Sequence, residues 1–327
     1  MPCGERLANR ALRTLAVLVS LVFLSACSDE IKKTLPIYPD IARGDTLPDD
    51  ITKRGPDTDP HPPILHSAEF ETPVPLGPGV NTAGAEDSPF ILPNGNTLYF
   101  FFTPDVRVPP EQQILDNVTG VWVSRKVDGE WSEAERVWLQ EPGKLALDGC
   151  VAIQGNRMWF CSAREGYSGV NMFTARRVDG EWIDWTYVGD RLMKELEIGE
   201  VHPHGDDLYF HSRRADGHGG MDIWRTTRTA DGWSDAVNLS SLNTDGDEGF
   251  PFVSSDGNEL WFSRTYAGTP AVFRSFWQGD TWGAPELIVS QFAGEPTLDD
   301  AGNLYFVHHY FENDVMIEAD IYVAYRK

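Results

Sequence analysis

One apolar-aromatic triplet recurs along the chain and constrains the fold more than any other feature: Leu98-Tyr99-Phe100, Met158-Trp159-Phe160, Leu208-Tyr209-Phe210, Leu260-Trp261-Phe262 and Leu304-Tyr305-Phe306. Glycine-bearing turns precede the copies: Pro93-Asn94-Gly95-Asn96, Gln154-Gly155-Asn156, His204-Gly205-Asp206, Ser255-Asp256-Gly257-Asn258 and Asp300-Ala301-Gly302-Asn303. Gly and Asn supply the positive φ that tight hairpins need. After each triplet come a polar loop and another strand, such as Asn171-Met172-Phe173-Thr174 or Asp222-Ile223-Trp224-Arg225. A further turn leads to a Trp-bearing strand in four of the units: Gly129-Glu130-Trp131, Gly180-Glu181-Trp182, Gly232-Trp233 and Asp280-Thr281-Trp282. Four short strands repeated at a period of roughly 45–60 residues are the pattern of β-propeller blades.

The fifth unit stops at Tyr325-Arg326-Lys327, after its third strand. Its missing outer strand is found at the other end of the domain. Ser67-Ala68-Glu69-Phe70-Glu71-Thr72-Pro73-Val74-Pro75-Leu76 matches the outer strands, with Phe70 in the tryptophan place. The expected fold is therefore all-β: a five-bladed β-propeller over residues 64–327, closed by an N-terminal strand in the last blade, which removes an exposed edge. A sixth blade would need a sixth triplet, and the sequence has none.

The stretch from Ser212 to Arg264 resembles the TolB-type, WD-like β-propeller repeat family. The likeness rests on Ser212-Arg213-Arg214, Gly219-Gly220-Met221-Asp222-Ile223-Trp224, Asn243-Thr244 with Asp247-Glu248-Gly249-Phe250-Pro251, Ser255-Asp256-Gly257 and Leu260-Trp261-Phe262-Ser263-Arg264. It extends over roughly residues 64–327. Unit two departs from it at Asp148-Gly149-Cys150, which lacks the proline, and unit five around Asp299-Asp300. The resemblance implies a periplasmic or surface propeller, often a binding platform near the cell envelope, and no single activity.

The N-terminus has the parts of a secretory signal. Arg6, Arg10 and Arg13 precede an apolar run from Leu15 to Leu24 that is too short for a bilayer span of roughly 20 residues. Leu24-Ser25-Ala26-Cys27 resembles the lipobox of bacterial lipoproteins, which implies cleavage before Cys27 and lipid on its thiol. Ser28 is not the aspartate associated with inner-membrane retention, so the expected location is the outer membrane, lipid-anchored, facing the periplasm or the exterior. The expected organisation is a signal peptide over 1–26, a lipidated flexible linker over 27–63, rich in Pro, Asp and Thr and poor in apolar periodicity, and the propeller over 64–327. The net charge of −23 argues against a nucleic-acid partner. Contact with the membrane is expected through the lipid only.

Candidate chemistry lies on the loops that lead into each first strand. Acidic residues occur there at Asp87, Asp148, Glu197, Glu200, Glu248 and Glu295, and arginines follow second strands at Arg164, Arg213 and Arg264. In a propeller these loops meet at one channel mouth, so the groups are candidates for ligand binding or catalysis, or for pairing between neighbouring blades. Five-bladed propellers also house arabinanase- and xylosidase-type glycoside hydrolases that use acids from the first three blades, and Asp87, Asp148 and Glu197 or Glu200 hold comparable places. Sequence spacing does not give the separation of roughly 6.5–9.5 Å that inverting hydrolysis needs. His202, His204, His211 and His218 are close in sequence, but nothing fixes their convergence. No metal and no cofactor beyond the covalent lipid on Cys27 is predicted, a channel Ca²⁺ included. Cys150 and Cys161 flank the Gly155-Asn156 turn symmetrically and are predicted to form a disulfide. Trp138, Trp185 and Trp277 stand outside the repeat columns and are the candidates for surface contact. The expected function is non-enzymatic, a binding or scaffold module for an envelope protein or glycan; the alternative is a glycoside hydrolase.

Overall fold

The computed structural model describes residues 38–327; the proposed signal, Cys27 and the first part of the linker lie outside the described residues. The described chain is all-β apart from short helical turns at Arg43–Thr46, Pro110–Gln113 and Arg191–Glu195. Each triplet forms a second strand that pairs antiparallel with a first strand before it and a third strand after it. Unit one has Ala85–Ile91, Thr97–Thr103 and Gly120–Val127; unit two Ala146–Gln154, Arg157–Arg164 and Val170–Val178; unit three Val201–His204, Asp207–Ser212 and Asp222–Thr229. Unit four has Glu248–Val253, Glu259–Tyr266 and Thr269–Phe276, and unit five Ala293–Leu298, Leu304–Glu312 and Val315–Ala324. The first strands adjoin in order from unit one to unit five, and that of unit five adjoins that of unit one. Units five and one also share one sheet through the parallel pair Ala319–Ala85.

The triplets are buried because their alternate residues face opposite ways between neighbouring sheets. Leu98, Phe100, Leu208, Phe210, Trp261, Phe262 and Phe306 have no exposure, and they pack against the third-strand aromatics. Phe160 stacks on Phe173, Phe262 on Phe273 and Phe306 on Tyr322, with ring centroids 5.8, 5.9 and 5.9 Å apart. This is the offset arrangement that ring quadrupoles favour.

The N-terminal segment pairs with the last two units. Val74–Pro75 runs antiparallel to Val315–Ala324, and Phe70 bridges to Arg326. The Arg326 guanidinium lies 5.0 Å from the Phe70 ring centroid, as Arg228 lies 4.5 Å from that of Trp233. Ile64–Leu65 adds a further strand beside Glu286–Ser290 in unit four, which the repeat pattern did not indicate.

The expectation of a flexible linker up to residue 63 is corrected for residues 38–63, which lie against the domain. Tyr38 stacks on Trp138 at 4.9 Å, Arg43 is buried in unit one, and Lys53 binds the carboxylates of Glu318 and Asp320 in unit five. Tyr38, Ile41 and Leu47 add apolar packing, and the rest of the hold comes from charged and polar groups, which is why the composition reads as a tether. Among the described residues, contact with the domain thus begins at Tyr38, on Trp138, rather than at Phe70.

Candidate functional site

The acids leading into the first strands separate into two layers, and a β-bulge makes the separation. Pairing between first and second strands shifts register after Asp87, Gly149, Gly249 and Gly294. The next residue in each takes a left-handed backbone: Ser88, Cys150, Phe250 and Glu295, with φ of 48°, 53°, 55° and 53°. Such bulges re-aim side chains. In unit three the equivalent residue is Glu200 after Gly199, whose amide bonds the His211 carbonyl.

The outer layer holds Glu86, Asp148 and Glu248, each fully buried and each bound to an arginine. Arg164 reaches Asp148 at 2.7 Å and Arg264 reaches Glu248 at 2.8 Å. Both guanidinium groups also donate to a backbone carbonyl upstream, Leu139 or Leu242, and lie within about 5 Å of two aromatic rings. In units one and four a threonine binds its acid through both amide and hydroxyl: Thr82 to Glu86, and Thr244 to Glu248. Asp148, Glu248, Arg164 and Arg264 are thus corrected from channel-mouth candidates to buried pairs within the units. Arg213 pairs with Asp247 at 2.9 Å on the surface, and Glu197 is exposed outside the mouth.

Unit one has Phe102 where unit four has Arg264, by the register opposite Glu86 and Glu248. Arg43 of the N-terminal segment fills the place. Its guanidinium is 3.3 Å from Glu86, donates to the Val80 carbonyl, and lies over Phe100 and Phe102. Unit five has the reverse defect, with Ala293 where the acid belongs opposite His308. Asp59 fills that place, 2.7 Å from the His308 ring.

Asp87, Glu200 and Glu295 remain at the mouth. Glu200 and Glu295 line it with Ser88, Cys150 and Phe250, and Asp87 lies beside Ser88. Burial pushes Asp87 upward, but its contacts with His309 (3.7 Å) and the Ser88 amide outweigh this and hold the carboxyl below its ordinary value. Burial, with the Asp87 charge nearby, pushes Glu200 up to about 8, and burial with Asp87 and Glu200 pushes Glu295 well above its ordinary value. Charge in the cluster is therefore favoured on Asp87 and disfavoured on Glu200 and Glu295. The cavity is about 40 Å³, room for a water or two. Among the described residues, no group of three or more His, Cys, Asp and Glu is placed to hold a metal ion.

The opposite end of the same axis is wider. Phe90, His202 and Phe252 meet as a plug, with the His202 ring 4.5 Å from Phe252 and 6.1 Å from Phe90. Burial drives His202 down to about 3, so its imidazole is neutral. Beyond the plug, the first-to-second-strand turns enclose a cup of about 610 Å³. Every unit contributes an apolar wall residue: Leu92, Ile153, Pro203, Val253 and Leu298. Asn94, Gln154, His204 and Ser255 form its polar rim. The sequence carried a sign of this cup, an apolar residue beside each glycine turn, where a solvated hairpin end would be polar.

A disulfide joins Cys150 and Cys161, with Cα atoms 5.4 Å apart. The bulge moves their register, so that Gly149 pairs with Cys161 and Cys150 stands on the bulge. The three off-column tryptophans pack rather than project: Trp138 on Tyr38, Trp277 on Trp282 at 5.1 Å, and Trp185 with its indole N–H on the Trp182 carbonyl.

No family model matches the chain, and no curated protein sequence matches it. Among solved structures it is similar to TolB from Acinetobacter baumannii, at 12% identity and a TM-score of 0.46, over 76% of this chain and 56% of that one. The chain thus spans little more than half the length of that protein. It is also similar to a protein of unknown function from Dyadobacter fermentans, at 11% identity and a TM-score of 0.48, over 80% of this chain and 100% of that one. An endo-arabinase from Bacteroides thetaiotaomicron aligns at 15% identity and a TM-score of 0.47, over 79% of this chain and 99% of that one.

Proposed function

We propose that this domain is a five-bladed β-propeller of the bacterial cell envelope, lipid-anchored through Cys27, and that it works as a non-enzymatic binding module for a protein or glycan partner. The five triplets, the cyclic order in which the first strands adjoin and the pairing of Val74–Pro75 with the last strand support the propeller reading. The lipobox-like Leu24-Ser25-Ala26-Cys27 supports the anchor.

One observation carries the functional reading: the two ends of the axis differ in size and chemistry. The acidic mouth, at about 40 Å³, leaves no room for a sugar ring, and unit two offers Cys150 where a catalytic acid would stand. The cup at the turn face, at about 610 Å³, falls within the range of roughly 300–1,000 Å³ usual for ligand pockets and has the usual apolar wall and sparse polar rim.

The test places a photo-crosslinking amino acid, in the full chain in bacterial membranes, at Leu92 or Ser255 in the cup and at Asp314 on the opposite face. A discrete partner captured from both cup positions, and absent from Asp314, is the expected outcome. Capture from Asp314 alone overturns the assignment of the face. Hydrolysis of aryl glycosides that Asp87→Asn abolishes overturns the non-enzymatic reading. For the anchor, Cys27→Ser is expected to move the protein from the detergent phase to the aqueous phase.

A further inference from the structure

We infer that the turn face receives a protein segment whose apolar side chain enters the cup and whose lysines or arginines lie in an adjoining acidic groove between units four and five. The inference rests on the cup being the binding site. It adds the chemistry of the occupant.

The groove, about 350 Å³, is continuous with the cup because Ser255 and Leu298 line both. Asp256 and Asp300 stand in it, both exposed. Neither forms an ion pair among the described residues. Both are instead held in place by neutral donors. Asp256 accepts from Ser254 Oγ at 2.6 Å and Asn258 Nδ2 at 2.7 Å, and Asp300 accepts from Ser255 Oγ at 2.7 Å. Hydrogen bonds from Ser254 and Asn258 keep Asp256 below its ordinary carboxylate value, so it stays charged over the working pH range. The groove's one cation, Arg326, is already bound to Glu69 at 2.6 Å.

The far side of the cup differs in charge. There the groove between units two and three carries Arg157 and Arg228 beside Trp159 and Trp233, together with Asp206 and Asp207, so its lining is balanced in charge. A cationic segment is therefore drawn toward the acidic groove of units four and five rather than toward units two and three. Apolar burial in the cup supplies affinity, while the rim charges set orientation and exclude acidic competitors.

The test uses the full chain and three capped pentapeptides: phenylalanine flanked on both sides by lysines, by glutamates or by serines. Binding is followed by calorimetry and by NMR shifts at Ile153, Val253 and Leu298. The lysine peptide is expected to bind about tenfold more tightly than the serine peptide, and the glutamate peptide more weakly than either. The lysine advantage is expected to vanish in Asp256→Asn/Asp300→Asn and, in the unaltered chain, in about 0.5 M salt, where screening is strong. The salt arm keeps the test independent of how the variant folds. Equal binding of all three peptides at the cup overturns the charge inference and leaves the cup assignment standing. No shift at the three cup residues with any peptide overturns both.

Discussion

The guanidinium of Arg43 lies 3.3 Å from the carboxylate of Glu86, both side chains fully buried and 43 residues apart in sequence. It occupies the place that Arg164 takes in unit two and Arg264 in unit four, down to the upstream carbonyl and the aromatic rings beneath. Residues 38–63 are thus a working part of the domain. They also cross from unit one to unit five, adding to the direct contacts of those units, which include the pair Ala319–Ala85, the Asp300 amide on the Pro93 carbonyl and the Ile91 amide on Thr297 Oγ1.

Removing Arg43 leaves Glu86 buried without its cation. Breaking a buried pair in this way costs about 3–5 kcal/mol, whereas replacing both partners by apolar residues of similar size is often close to neutral. Arg43→Ala is therefore expected to lose stability of that order in urea unfolding, and Arg43→Met/Glu86→Met to recover most of it. A loss below about 1 kcal/mol in the single variant would place the pair among surface bridges in its effect.

Asp59 and His308 make the corresponding pair in unit five, and here the effect depends on pH. Burial works against the Asp59 charge, but the hydrogen bonds from His308 and the His61 amide win and hold its carboxyl below the ordinary value. A depressed folded-state value means that Asp59 contributes stability at neutral pH and loses it as pH falls through the acid range below about 4. Hydrogen exchange of residues 50–63 is expected to rise in Asp59→Asn at pH 7. The gap between variant and parent should narrow as pH falls through the depressed Asp59 value. A gap that persists in acid would mean that the carboxylate charge is not what holds the segment.

The five triplets were legible because aromatic and β-branched residues alternate strictly about a glycine turn, and that pattern needs no knowledge of neighbours. The site was less legible because the bulge breaks the alternation. Glu248 and Glu295 look like members of one column of acids, yet by register Glu295 matches Phe250 and the partner of Glu248 is Ala293. Asp87 likewise matches Gly149, Gly249 and Gly294, so its place at the mouth belongs to unit one alone. The N-terminal segment was misread for a different reason. Rules for disorder weigh apolar content, and Arg43, Lys53 and Asp59 hold their segment by pairing with groups the degenerate units leave unmatched. The sign was Phe102 where unit four has Arg264, and Ala293 where units one, two and four have acids.

At the acidic mouth the prediction concerns titration. Burial is the main cause of the raised Glu200 value and the Asp87 charge the second. Asp87→Asn is expected to bring Glu200 down from about 8 but to leave it above the ordinary carboxylate value. Because the folded-state value is raised, Glu200 costs stability progressively as pH climbs from about 4.5 to about 8, so Glu200→Gln is expected to gain stability most at alkaline pH. Carboxyl carbon NMR across pH 4–10 checks the first statement and urea unfolding the second. A Glu200 titration unmoved by Asp87→Asn would separate the two groups.

The disulfide ties the mouth to the second strand of unit two. Cys150 holds a left-handed backbone at φ 53°, a conformation that costs a side-chain-bearing residue free energy unless its surroundings enforce it. Its bond to Cys161 closes a loop with a sequence separation of 11. For a loop of that size the chain-entropy account gives about 3 kcal/mol of stabilisation. Urea unfolding with and without a thiol reductant is expected to differ by that amount, and Cys150→Ser/Cys161→Ser should abolish the difference. The bulge also carries Cys150 into the lining shared with Glu200 and Glu295. Reduction should therefore also shift the Glu200 carboxyl resonance, while resonances at Leu92 and Ser255, across the plug, stay in place. If the cup resonances move as well, Phe90, His202 and Phe252 do not insulate one end of the axis from the other.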